Sequence, residues 1–103
     1  MSYDIEDIKD ELESGEAQLL DVREQDEWDA GHLAQAKLVP LSLLRDGECD
    51  EGLSKSLKTY IHCRSGQRVL QAAPLLEQIG FENVTALDEG FESLMAEGFP
   101  LGS

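Results

Sequence analysis

Basic residues are scarce in this sequence: 8 lysines and arginines stand against 22 aspartates and glutamates, a formal charge of −14. Nucleic acids and anionic membranes are gripped by basic faces, so neither is an expected partner. For a small anionic ligand the overall field is repulsive, and attraction has to come from a few local groups. Long apolar runs are missing too; nothing approaches the roughly 20 residues that cross a bilayer. The acidic start Met1-Ser2-Tyr3-Asp4-Ile5 lacks the basic and apolar regions of a secretory signal, which makes the cytoplasm the expected compartment. Two cysteines are too few for a disulfide framework and suit a reducing environment. Neither Cys49/Cys63 nor His32/His62 has the short spacing of a zinc site. No metal and no cofactor is expected, and the chain is expected to be a monomer.

What is present suits one domain over residues 1–103, with 41% apolar and 29% charged residues, enough for a modest core. Helical and strand patterns alternate, which predicts an α/β class with a mostly parallel sheet. Asp4 begins a helix whose Ile5, Ile8 and Leu12 share a face. Residues 17–22 read as a strand, 24–30 as a short acidic helix closed by Gly31, and 37–39 as a second strand. Pro40 then turns the chain into 41–44. Residues 45–56, with Asp46-Gly47 and Gly52, predict an exposed loop. The β-rich run 58–62 delivers Cys63 at its C-terminal end. From Arg68 a helical stripe of Val69, Ala72, Ala73, Leu76 and Ile79 runs to Gly80, and Pro74 is expected to kink it or shift its start. Residues 84–86 predict a further strand, followed by an amphipathic stretch to Gly98.

The chemistry concentrates in His62-Cys63-Arg64-Ser65-Gly66-Gln67-Arg68, which holds two of the chain's four arginines. A thiol becomes a good nucleophile on losing its proton, and nearby cations and a helix N-terminus favour the thiolate. Ligand sites of open parallel sheets lie at the carboxyl ends of strands, where Cys63 is placed. Gly66 lets the loop curl its N–H groups inward as an anion-accepting nest. Arg64 and Arg68 add positive charge, and the Ser65 hydroxyl adds a donor. Cys63 is therefore the expected nucleophile, with Arg64, Ser65, Gly66, Gln67 and Arg68 around the substrate. The stretch also approaches the phosphatase signature His-Cys-x5-Arg. That pattern needs arginine at position 69, where the chain has Val69, so the loop is one residue short.

The six residues from Cys63 to Arg68 resemble the active-site loop of single-domain rhodanese-like sulfurtransferases. Further along the chain, Asp21-Val22-Arg23 resembles the family's Asp-Val-Arg segment and Gly31-His32-Leu33 its Gly-His-Ile element. Gly80-Phe81-Glu82-Asn83-Val84 and Gly98-Phe99-Pro100-Leu101 fit as well. The resemblance implies a rhodanese-like fold, a central mostly parallel sheet with helices on both faces. It also implies a two-step sulfur transfer through a Cys63 persulfide, from a small anionic donor such as thiosulfate to cyanide, a thiol or a protein acceptor. An arginine directly after the cysteine resembles thiosulfate-using members. Alternatives are a regulatory binding module that uses the acidic surface, and a phosphatase or arsenate reductase, against which the short loop argues.

Two departures carry expectations. The family's Leu-x-Gly-Gly-x-x-x-Trp appears as Leu87 to Leu94 with Glu89 and Leu94 in place of glycine and tryptophan. This predicts altered packing beside the loop and a carboxylate near an anion site. Ala34-Gln35 replaces a usual Pro-Gly, which predicts a different turn. Cys49, among Glu48, Asp50 and Glu51, reads as a bystander thiol. His32 and His62 read as structural, Trp28 as core, and Arg23 as paired within the fold.

Overall fold

The computed structural model describes residues 3–49 and 52–102. Among these residues nine elements follow one another: α1 (Ile5–Ser14), β1 (Ala17–Asp21), α2 (Gln25–Ala30), β2 (Ala36–Leu38), α3 (Leu41–Arg45), β3 (Lys58–His62), α4 (Arg68–Ile79), β4 (Val84–Ala86) and α5 (Phe91–Ala96). The strands form one parallel sheet in the order β2-β1-β3-β4. The α/β class and parallel sheet expected from the sequence are present.

Strand alternation sorts the core into two layers. Leu20, Val22, Ile61 and Cys63 face Val69, Ala72 and Leu76 of α4 and Leu41 and Leu44 of α3. Leu19 and Tyr60 face the other way, toward Ile8 of α1 and Leu94 of α5. Helices thus cover both faces. From β1 the chain moves outward to β2 and then back across to β3 on its other side. The carboxyl ends of β1 and β3 therefore flank the point where the winding reverses, the usual crevice for a ligand in such sheets.

Local expectations are met at several ends. The Asp4 carboxylate accepts the Glu6 N–H at 2.8 Å and caps α1, and Gly31 and Gly80 close α2 and α4. Other expectations are corrected. The 45–56 stretch is not wholly exposed, because Leu53 is buried and Cys49 packs against the same core cluster. Asp50 and Glu51, the acidic neighbours invoked for Cys49, lie outside the described residues, as do Met1 and Ser2. Helix α4 runs through Pro74. The ring removes the N–H that would bond the Leu70 carbonyl, and both residues lie on the solvent side, where water can take that carbonyl.

Candidate active site

Cys63 follows the last residue of β3 and lies wholly buried at the base of the loop. The Gly66 N–H donates to its Sγ at 3.1 Å, and the Phe91 N–H donates to its backbone carbonyl at 2.9 Å. The loop folds back over the thiol and α4 begins at Arg68. Around it, Arg64, Ser65 and Gln67 are exposed, whereas Gly66 and Arg68 are half-buried.

Two glycines permit this geometry. Gly66 has φ +85°, and a Cβ there would come within 2.7 Å of the Asp88 carbonyl oxygen. Gly90 is tighter still: a Cβ would stand 1.8 Å from the Arg64 carbonyl oxygen. Residues 88–90 thus press directly on the loop backbone, and Gly90 is required by close approach. The neighbouring Glu89 does not bring a loose carboxylate to the loop. The Tyr3 hydroxyl donates to Glu89 Oε1 at 2.7 Å and accepts the Asp88 N–H at 2.8 Å. Burial pushes the Tyr3 phenol up to about 12, so it stays protonated and donating. Leu94, where the family has tryptophan, is fully buried with Leu33, Leu87 and Phe99. The altered turn also has a physical content. Ala34 N–H donates to the Pro100 carbonyl at 2.8 Å, a bond that proline at this position cannot make.

Beneath the loop lies a buried polar cluster. Arg23 holds both oxygens of Asp21, at 2.8 Å from Nη2 to Oδ2 and 3.0 Å from Nε to each. It also donates to the Gly31 carbonyl and lies 4.2 Å above the Phe91 ring. The pairing of Arg23 within the fold, expected from the sequence, is present. His62 is fully buried on the same face of the sheet as Asp21. Its Nδ1 lies 3.2 Å from the Cys63 carbonyl, which makes Nδ1 the protonated nitrogen of a neutral ring. Nε2, 3.7 Å from Asp21 Oδ2, has no hydrogen-bond partner among the described residues. Burial pushes the imidazole below its ordinary value, while the Asp21 charge pulls it back.

Sequence reasoning grouped Arg64 and Arg68 as two cations over the thiol; the structure separates them. Arg68 makes a bidentate ion pair with Glu27 of α2, at 2.6 and 2.8 Å. The Arg68 guanidinium holds the Glu27 carboxyl at about 2. Arg64, by contrast, has no ion pair among the described residues. It lines a cleft of about 210 Å³ with Arg23, Glu27, Ala30, Phe91 and Glu92. Glu27 and Phe91 were missed by sequence reasoning. Glu27 stands 41 residues from Arg68, and no local pattern signals such a pair. His32 stacks on Trp28 with ring centroids 3.7 Å apart, and its Nδ1 lies 3.0 Å from the Trp28 carbonyl.

Several known proteins resemble this chain. A segment of the probable adenylyltransferase/sulfurtransferase MoeZ of Mycobacterium tuberculosis is 33% identical over 85 residues, covering 82% of this chain. The chain spans only 22% of that protein's length. Thiosulfate sulfurtransferase 18 of Arabidopsis thaliana is 31% identical, with 100% of this chain and 84% of that protein covered. The crystal structure of the Alr3790 protein from Anabaena superposes with a TM-score of 0.81 at 31% identity, over 98% of this chain and 80% of that one. A family profile for the rhodanese-like domain matches residues 4–97, and the chain belongs to the rhodanese-like family.

Proposed function

We propose that this protein is a sulfurtransferase that moves a sulfane sulfur from a thiosulfate-type donor to a thiophilic acceptor through Cys63. The Cys63 thiolate attacks the outer sulfur of thiosulfate; a sulfur–sulfur bond forms on Cys63 as the donor's own breaks, and sulfite leaves with the electron pair. A thiolate acceptor, free or on a protein, then takes the terminal sulfur and returns Cys63 as thiolate, and cyanide would leave as thiocyanate. This splits one displacement into two, so ping-pong kinetics are expected.

The observation that carries the reading is the Gly66 N–H aimed at Cys63 Sγ inside a six-residue loop at the sheet's crevice. A donor in that position would stabilise the anionic terminal sulfur of a persulfide as it stabilises a thiolate. Because Cys63 is wholly buried, the loop has to open for a donor to reach it. The likeness to a segment of the probable adenylyltransferase/sulfurtransferase MoeZ and to thiosulfate sulfurtransferase 18 supports the same chemistry.

Incubation with thiosulfate should make the intact protein heavier by one sulfur atom, read by mass spectrometry, and Cys63→Ser should remove that gain entirely. A wild-type mass unchanged under conditions that charge a known sulfurtransferase would overturn the proposal.

A further inference from the structure

The cleft at the loop mouth has a lining without net charge. Arg23 and Arg64 are matched by Glu27 and Glu92. The loop's last residue, Arg68, does not add to the positive side, because Glu27 engages both of its terminal nitrogens. We propose that Glu27 is a specificity-determining residue: it neutralises Arg68 and thereby sets how strongly the loop favours anionic reagents at Cys63. Arg64, without an ion pair among the described residues, is left as the cation that an incoming donor meets. The consequence for sulfur donors rests on the sulfur-transfer reading; the charge setting at Cys63 does not.

Three features make Glu27 more than a structural tie. It lines the cleft itself, whereas a tie could be made from behind the loop. The pair sits at the water's edge, with side-chain exposures of 29% for Arg68 and 24% for Glu27, so neutralising one partner strands no buried charge. The carboxylate also has a separate local duty, accepting the Glu24 N–H at 3.0 Å to cap α2. A glutamine keeps that acceptor oxygen and removes only the charge.

The test compares alkylation of Cys63 by iodoacetate, an anion, with that by neutral iodoacetamide, resolved from Cys49 by peptide mass spectrometry. The ratio of the two rates reads the local charge and cancels general changes in loop accessibility. Glu27→Gln should raise this ratio about threefold to tenfold, and Arg68→Gln should lower it by a similar factor. The double variant should return close to wild type. A purely structural tie would move both single variants in the same direction, and the double variant would be no better. That result, an unmoved ratio, or a Cys63 unreactive to both reagents in every variant would overturn the proposal. Should Glu27→Gln fail to fold, Glu27→Met removes the same charge.

Donor kinetics supply the second arm. Glu27→Gln should lower the KM for thiosulfate, a dianion, by more than that for benzenethiosulfonate, a monoanion, with kcat largely kept. Equal KM values in variant and wild type would again overturn it. If the alkylation ratios behave as stated but thiosulfate leaves no sulfur on the wild type, the sulfur-transfer reading fails and the charge role of Glu27 stands.

Discussion

Two arginine–carboxylate pairs flank the loop, and they differ in almost everything but chemistry. Asp21 and Arg23 are two residues apart at the end of β1, with side-chain exposures of 0% and 5%. Glu27 and Arg68 come from different helices, 41 residues apart, and both meet solvent. The first pair is a floor: Arg23 carries Phe91 on its guanidinium, and Phe91 holds the Cys63 carbonyl through its N–H. The second is a rim. Burial decides how far each can be altered, because a buried ion that loses its partner has no water to turn to.

The largest effect should follow from breaking the floor. Asp21→Asn leaves the Arg23 guanidinium buried and uncompensated, which is expected to cost about 3–5 kcal/mol. In a domain of this size each 1 kcal/mol lowers Tm by about 4–8 °C, so a fall of at least about 12 °C is expected. Urea denaturation measures it. A loss below about 1 kcal/mol would erase the distinction between floor and rim.

A second, intermediate effect sharpens what the floor contains. His62 shares its buried space with Asp21 and Arg23, and burial holds its imidazole neutral below the ordinary range. Below about pH 6.5 the unfolded chain takes up a proton that the folded chain refuses until the pH is lower still. Stability should therefore fall as pH drops through that window, by up to about 1.4 kcal/mol per pH unit for one proton. Urea midpoints at pH 7.5 and 5.5 should diverge in wild type and converge in His62→Gln. Equal pH slopes in the two proteins would show that His62 takes up its proton over the same pH range folded and unfolded.

The floor was half legible in the sequence and the rim was not. Asp21 and Arg23 sit in one short segment, and both Asp21 and His62 fall at strand ends, where a shared face follows from β alternation once the register is known. The six-residue loop and the position of Cys63 at a strand end were plainer, because both depend on residues adjacent in the chain. Glu27 meets Arg68 only once α2 has crossed the sheet end, and nothing in QDEW marks the third residue as the partner. Glu89 taught the same lesson in reverse. Its carboxylate, expected from the sequence beside an anion site, is anchored by the hydroxyl of Tyr3, 86 residues away. Gly90 belongs to a motif by its letter, yet its reason, the Arg64 carbonyl pressed against it, is a tertiary contact.

The smallest stability effect should come from breaking the rim, and its pH signature separates it from the floor. Hydrogen bonds from Arg68, outweighing partial burial, lower the Glu27 carboxyl from 4.5 to about 2. A carboxyl whose folded value lies below its unfolded value stabilises the fold above the unfolded value, and loses that contribution as pH falls toward the folded one. For a pair this exposed the contribution is about 1 kcal/mol. Glu27→Gln should therefore be less stable than wild type by about that amount at pH 7, with the same difference at pH 5.5, inside the window where His62 titrates. The gap should then close as pH drops from about 4 toward 2, read as converging urea midpoints. A gap that persisted at the acid end would mean that packing of the side chain, not its charge, holds α2 to the loop, and the rim would then be a second floor.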